Sequence, residues 1–227
     1  MDPLVVEPVT IDVSNATRVS GLLAIPPNCR MALVLAHGAG AGMAHASMTA
    51  IAEGLYRRSV ATLRFQFPYM EQHSGRPDSP PLCHATVRAA VRRAGELLPG
   101  VPLFAGGRSF GGRMTSQAQA LEALSAVRGL AFFAFPLHLA KKPADTRAAH
   151  LDQVKIPMLF LQGSRDELAD LDFLRPVVAH LSPVATLHVL EHADHSFHVL
   201  VRSGRTDAEV REEMLDAFIG WAEPLLG

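Results

Sequence analysis

The sequence lacks most of what marks the commoner specialised protein classes. Two cysteines, Cys29 and Cys83, occur in 227 residues. That is too few for a disulfide framework, and the C-x-x-C spacing of structural zinc is absent, so both read as reduced thiols. No apolar run reaches the roughly 18 residues of a membrane-spanning helix, and the opening MDPLVVEPVT has no basic segment leading into a long apolar one. The expectation is a cytoplasmic protein without membrane association. Neither sign of charge is in excess, because 21 Lys and Arg against 22 Asp and Glu leave a formal charge of -1. Such a chain has no general field for gathering nucleic acid. Repeats, low-complexity tracts and interdomain linkers are also missing.

What is present is the composition of an ordinary globular protein, 48% hydrophobic and 19% charged. Its length suits a single domain, 1–227. Two strand-like segments, VVEPVTIDV and RVSGLLAIP, flank Ser14, Asn15 and Ala16 and predict an antiparallel hairpin. Short apolar runs of the buried-strand type then recur at 31–37, 60–67, 101–107, 129–135, 156–163 and 185–192. Between them, 43–58, 82–98, 111–126, 167–181 and 206–222 carry apolar residues at helical steps. The alternation predicts an α/β fold with a mostly parallel central sheet, helices on both faces and an antiparallel N-terminal edge. Polar loops at 71–81 and 138–150 follow strand ends, where open parallel sheets bind ligands.

The most informative residues are Gly107-Arg108-Ser109-Phe110-Gly111, a G-x-S-x-G run between the strand VPLFAG and a helical stretch. A serine on that sharp turn is held above the sheet, and the Phe110 N–H behind it faces the same space at a helix N-terminus. Gly107 to Gly112 also has phosphate-loop spacing, but Arg113 and Met114 stand where Lys and Ser or Thr are required. A second turn, His37-Gly38-Ala39-Gly40-Ala41-Gly42, offers an amide from Ala39 or Gly40 as the other half of an oxyanion hole. As a dinucleotide fingerprint it fails, since Met43 replaces the third glycine and RFQFP ends without a carboxylate.

Serine needs a histidine to take its proton, and that histidine needs an acid to orient it. Asp166 and His195 follow in the required chain order, each just past a predicted strand. Glu167, Asp170 and Asp172 are neighbouring acids that also suit a helix N-terminus. His192, His195 and His198, with Asp194 among them, admit a metal reading, though no further ligands are identifiable. Tyr69, Glu71 and Arg108 are candidates for lining the substrate site, with structural roles open to each. Arg64 lies deeper, where it can pair with a carboxylate.

Together HGAGAG, RFQFPYME, GGRSFGG, GSRDEL and ADHSF resemble compact bacterial α/β-hydrolases of the dienelactone-hydrolase-like superfamily, related to KANSL3-type proteins. The run Arg64–Glu71 is the most specific of these motifs. The resemblance implies the α/β-hydrolase fold without a large cap, with Ser109 as nucleophile, Asp166 as acid and His195 as base. Dienelactone hydrolases proper carry cysteine at the elbow, so their substrate is not implied. The expected activity is hydrolysis of a small ester or thioester through an acyl-serine, with no metal or organic cofactor. A non-catalytic protein-interaction module on the same fold is the competing expectation.

Overall fold

The computed structural model describes residues 4–227. The predicted hairpin forms from β1 (Glu7–Ser14) and β2 (Thr17–Ala24). There follow β3 (Met31–Ala36), α1 (Ala46–Tyr56), β4 (Val60–Phe65), a single-turn α2 (Pro68–Glu71), α3 (Pro80–Leu97), β5 (Leu103–Arg108) and α4 (Phe110–Leu121). The chain continues through β6 (Val127–Phe133), β7 (Met158–Gly163), α5 (Leu171–His180), β8 (Ala185–Leu190) and α6 (Asp207–Ala222). The strands make one sheet in the order β1-β2-β4-β3-β5-β6-β7-β8. β2 joins β4 antiparallel, Gly21 facing Phe65, and every pair from β4 to β8 is parallel.

Strands β3, β4 and β7 are buried at all six positions, which is why they read as continuous apolar runs. The pleat divides β3 between two cores. Ala32, Val34 and Ala36 face the side covered by α3, α4 and α5, and Met31, Leu33 and Leu35 face α1 and α6. A capping box of Thr206 and Glu209 starts α6, which then buries Val210, Met214, Leu215, Phe218 and Ala222. Burying a side chain such as Phe218 contributes roughly 1.5–3 kcal/mol.

From β3 the chain passes to β4 on one side and, later, to β5 on the other, so a crevice opens beyond their carboxyl ends. Between β6 and β7 lie only loops and a short 3-10 segment, Thr146–Gln153, with no helical cap. The helix expected over 167–181 begins instead at Leu171, because the Asp170 side chain accepts the Asp172 N–H and caps it. The one predicted over 111–126 stops at Leu121. Neither α2 nor the 3-10 segment is visible as periodicity, since each is too short to generate a repeating face. No helix among the described residues is long and apolar enough to cross a membrane.

Candidate active site

Ser109 sits at the junction of β5 and α4 with φ 51 and ψ -118, a strained backbone for a residue with a side chain. The glycines around it are required by close approach. A Cβ at Gly107 would stand 2.6 Å from the Ala36 carbonyl oxygen, and one at Gly111 2.6 Å from the carbonyl oxygens of both Ala36 and His37. The Ser109 N–H is anchored to the Phe133 carbonyl at 2.9 Å, so the elbow is fixed to two neighbouring strands.

The hydroxyl of Ser109 lies 2.8 Å from His195 Nε2, and His195 Nδ1 lies 2.7 Å from Asp166 Oδ2. With Nδ1–H donating to the carboxylate, Nε2 is left as the acceptor for the serine proton. Asp166 is held on every side. Its Oδ2 also accepts from Gln162 Nε2, its Oδ1 accepts the Leu168 N–H at 2.8 Å, and its side chain is fully buried. The other acids take different work: Asp170 caps α5, and Asp172 lies in that helix's first turn.

The three histidines at 192–198 do not converge. His195 faces Ser109, the exposed His198 pairs with Asp207 at 2.9 Å, and Asp194 accepts the amides of Ser196 and His198 and so organises the loop itself. No group of three His, Cys, Asp or Glu side chains with metal-binding geometry occurs among the described residues.

Opposite His195, Gly38 lies against Ser109, a Cβ there falling 3.8 Å from the serine Cβ. The amides of Ala39, Gly40 and Phe110 donate to no protein acceptor among the described residues. The run Arg64–Glu71 turns out to brace this loop. Arg64, 2% exposed, donates through Nη1 to the Met43 carbonyl at 3.1 Å and to Thr49 Oγ1 at 2.8 Å. The expected carboxylate partner is therefore replaced by a carbonyl and a hydroxyl. Burial lowers the pKa of Arg64, with the charge of Glu53 opposing it.

Gln66 accepts the Met43 N–H at 2.9 Å, and Phe67 N–H donates to His37 Nε2 at 3.0 Å while His37 Nδ1–H donates to the Gly38 carbonyl at 2.8 Å. Desolvation pushes the His37 pKa down, so the ring stays neutral and able to accept and donate at once. Tyr69 and Glu71, expected to line the substrate site, are engaged elsewhere. Tyr69 is buried and its hydroxyl donates to the Ala39 carbonyl at 2.9 Å; the Glu71 carboxylate accepts the Ser20 N–H and fastens α2 to β2. Arg108 reaches across to Ser196 Oγ at 3.3 Å and the His195 carbonyl at 3.5 Å, linking the elbow to the histidine loop.

Sequence reasoning missed the bracing role of His37 and Gln66. Its one available signal was the density of polar groups inside an otherwise apolar strand end.

A serine elbow, a buried acid and a histidine bridging them at the carboxyl edge of a mostly parallel sheet define an α/β-hydrolase architecture. The chain belongs to the alpha/beta hydrolase domain family, which residues 29–223 match. Its fold is similar to a dienelactone hydrolase from Anabaena variabilis, with a TM-score of 0.76 and 19% identity over 96% of this chain and 98% of that one. It is likewise similar to a Xanthomonas campestris protein described as an a/b serine hydrolase without lid, with a TM-score of 0.74 and 21% identity over 97% and 98% of the two chains. An alpha-beta serine hydrolase homologue from Coxiella burnetii gives a TM-score of 0.74 and 22% identity over 93% and 96%.

Proposed function

We propose that this protein hydrolyses a small carboxylic ester or thioester through an acyl-Ser109 intermediate. The observation that carries the reading is the unbroken relay from Asp166 to His195 to Ser109, with contacts of 2.7 and 2.8 Å. Ser109 Oγ attacks the carbonyl carbon as its proton passes to His195 Nε2, and Asp166 stabilises the imidazolium. The oxyanion is received by the Phe110 amide and by that of Ala39 or Gly40, groups that hold their dipoles in place before the charge develops. Collapse breaks the bond to the leaving oxygen or sulfur, which takes the proton from His195. Water then adds to the acyl-serine with His195 as base, and Ser109 leaves with that proton.

Residues 1–227 act as a single domain in this reading, and the chemistry calls on no metal or organic cofactor. The finer kinship with KANSL3-type proteins rests on Arg64–Glu71, the same run that braces the oxyanion loop.

An alkyl fluorophosphonate tests the proposal before a substrate is known. Intact mass and peptide mapping are expected to find one adduct, on Ser109, and Ser109→Ala protein is expected to lose both labelling and ester turnover while keeping its melting temperature within a few degrees. Labelling elsewhere, or undiminished turnover by the variant, would remove Ser109 as the nucleophile, whereas a parent protein that neither labels nor turns over any ester would favour the non-catalytic interaction module instead.

A further inference from the structure

Arg113 lies one helical turn beyond the nucleophile, its own N–H donating to the Ser109 carbonyl at 3.2 Å. Its guanidinium carbon stands 5.8 Å from the centre of the Phe110 ring, the residue that also supplies an oxyanion amide. Arg113 Nε is buried without a hydrogen-bond partner, and among the described residues no carboxylate lies within ion-pairing distance of Arg113 or of its neighbour Arg147. Arg147, from the 3-10 segment after β6, donates through Nη1 to the His138 carbonyl at 3.1 Å. Its other donors have no protein acceptor there.

Arg113 on α4 and Arg147 on the 3-10 segment packed against that helix are both half-buried and without a counter-ion among the described residues, a costly arrangement in a folded protein. Burial first, and the charge of Arg147 second, lower the pKa of Arg113. The surrounding polar groups do not relieve it. His150 donates to Ser116 Oγ at 2.7 Å and is driven down to about 4 by burial and the charge of Arg113, so it is neutral near pH 7. His84 donates to Gln117 at 3.2 Å. Asp78 accepts the Tyr69 N–H at 2.8 Å and makes no ion pair among the described residues. Arg108, on the other flank of Ser109, is already committed to Ser196 and His195.

We infer that Arg113 and Arg147 form an anion subsite beside Ser109, and that the preferred substrate is an ester or thioester carrying a carboxylate or phosphate. The inference rests on the hydrolase reading for the chemistry, though not for the binding. Phe110 holds the face of the Arg113 guanidinium and leaves its edge donors for two oxygens of the anion, a fork that neither a lysine nor a neutral side chain reproduces.

Two matched pairs of acetate esters test it. 4-Acetoxybenzoate is compared with its methyl ester, and 4-acetoxyphenyl phosphate with 4-acetoxyanisole. Charge-assisted bonds of this kind predict that at least one anion is favoured about tenfold in kcat/KM. The favoured arm tells carboxylate from phosphate. Arg113→Gln and Arg147→Gln are each expected to bring the ratio within a pair close to one, and Arg113→Lys to keep part of it. Because the ratio is read within one variant, a general loss of folding or catalysis cancels.

The binding arm uses Ser109→Ala protein, titrated calorimetrically with the same esters, so that it reads the subsite even if no ester is turned over. Tighter binding of an anion in Ser109→Ala, lost in Ser109→Ala/Arg113→Gln, supports the subsite. Equal binding of charged and neutral partners, or a preference that survives both arginine substitutions, overturns it. Absence of turnover with anion binding intact would instead count against the hydrolase reading.

Discussion

On the β4 side of Ser109, Arg64, Gln66, Tyr69 and Glu71 are each tied to a named neighbour, three of them to the loop that carries the Ala39 and Gly40 amides. On the β6 side, Leu139 to Pro143 are exposed and Arg113 finds no protein acceptor among the described residues. Polar side chains that have already found partners hold backbone in place, whereas polar side chains without them are available to a ligand. Under the proposed mechanism the two walls divide the labour of the site: one fixes the donors that would meet the transition state, and the other is left to meet what arrives.

The comparison is broken most severely by loosening the fixed wall. Tyr69→Phe keeps the ring and its packing against Phe67 and Phe110 but removes the hydroxyl that holds the Ala39 carbonyl. If that bond positions the oxyanion amides, kcat is expected to fall about tenfold with KM little changed, since only transition-state contacts are lost. Stability is expected to drop by about 1 kcal/mol, the ordinary worth of one buried hydrogen bond. A variant equally destabilised but with unaltered kcat would reduce Tyr69 to a packing residue.

This wall is also where sequence reasoning reached its limit. Ser109, Asp166 and His195 are legible because each stands in a short motif whose geometry follows from strand ends, and the parallel sheet is legible because strands buried on both faces have lost their polar alternation. Tyr69 and Glu71 are legible as residues of the crevice, but whether each lines it or braces it is not. An exposed tyrosine at a substrate and a buried tyrosine donating to a carbonyl leave the same trace in a sequence. Only the turn of α2, too short to have a period, decides between them. The uncompensated arginine pair was illegible for a related reason. Arg113 enters the sequence reading only as the residue that spoils a phosphate loop, and Arg147 only as part of the polar loop 138–150, because the packing of the 3-10 segment against α4 leaves no periodic trace.

A smaller effect sharpens the contrast through pH. His150 on the open side and His37 on the braced side both have pKa values depressed by burial, His150 to about 4 from an ordinary 6.5. The unfolded chain therefore binds a proton on His150 below about pH 6.5 that the folded chain refuses until about pH 4. Stability from this group is present above 6.5 and is lost as pH falls through that window. The ring is only half-buried, so the loss is on the order of 1 kcal/mol once solvent screening is allowed for. Melting temperatures measured between pH 7 and 4 are expected to fall less steeply in His150→Asn than in the parent. The difference between the two curves removes the contribution of the carboxylates, which titrate in both. Parallel curves would mean that His150 is as accessible to protons when folded as when unfolded.

The smallest effect concerns what the open wall cannot do. A long acyl chain gains affinity only where its methylenes leave water, each contributing roughly 0.8 kcal/mol when fully buried. Burial of that kind needs a tunnel or a cap, and the connection from β6 to β7 supplies only loops and the Thr146–Gln153 segment. Lys141, Lys142 and Pro143 stand exposed on that connection. For neutral p-nitrophenyl esters, kcat/KM is therefore expected to rise over the first few carbons and then level, butyrate exceeding acetate but laurate gaining less than about threefold over butyrate. The series must be run below micelle-forming concentrations, where each added carbon is a change in substrate rather than in its physical state. A rate that climbed by a constant factor per carbon through laurate would require a continuous apolar groove, which the β6 side could form only if residues 139–143 folded down over Ser109.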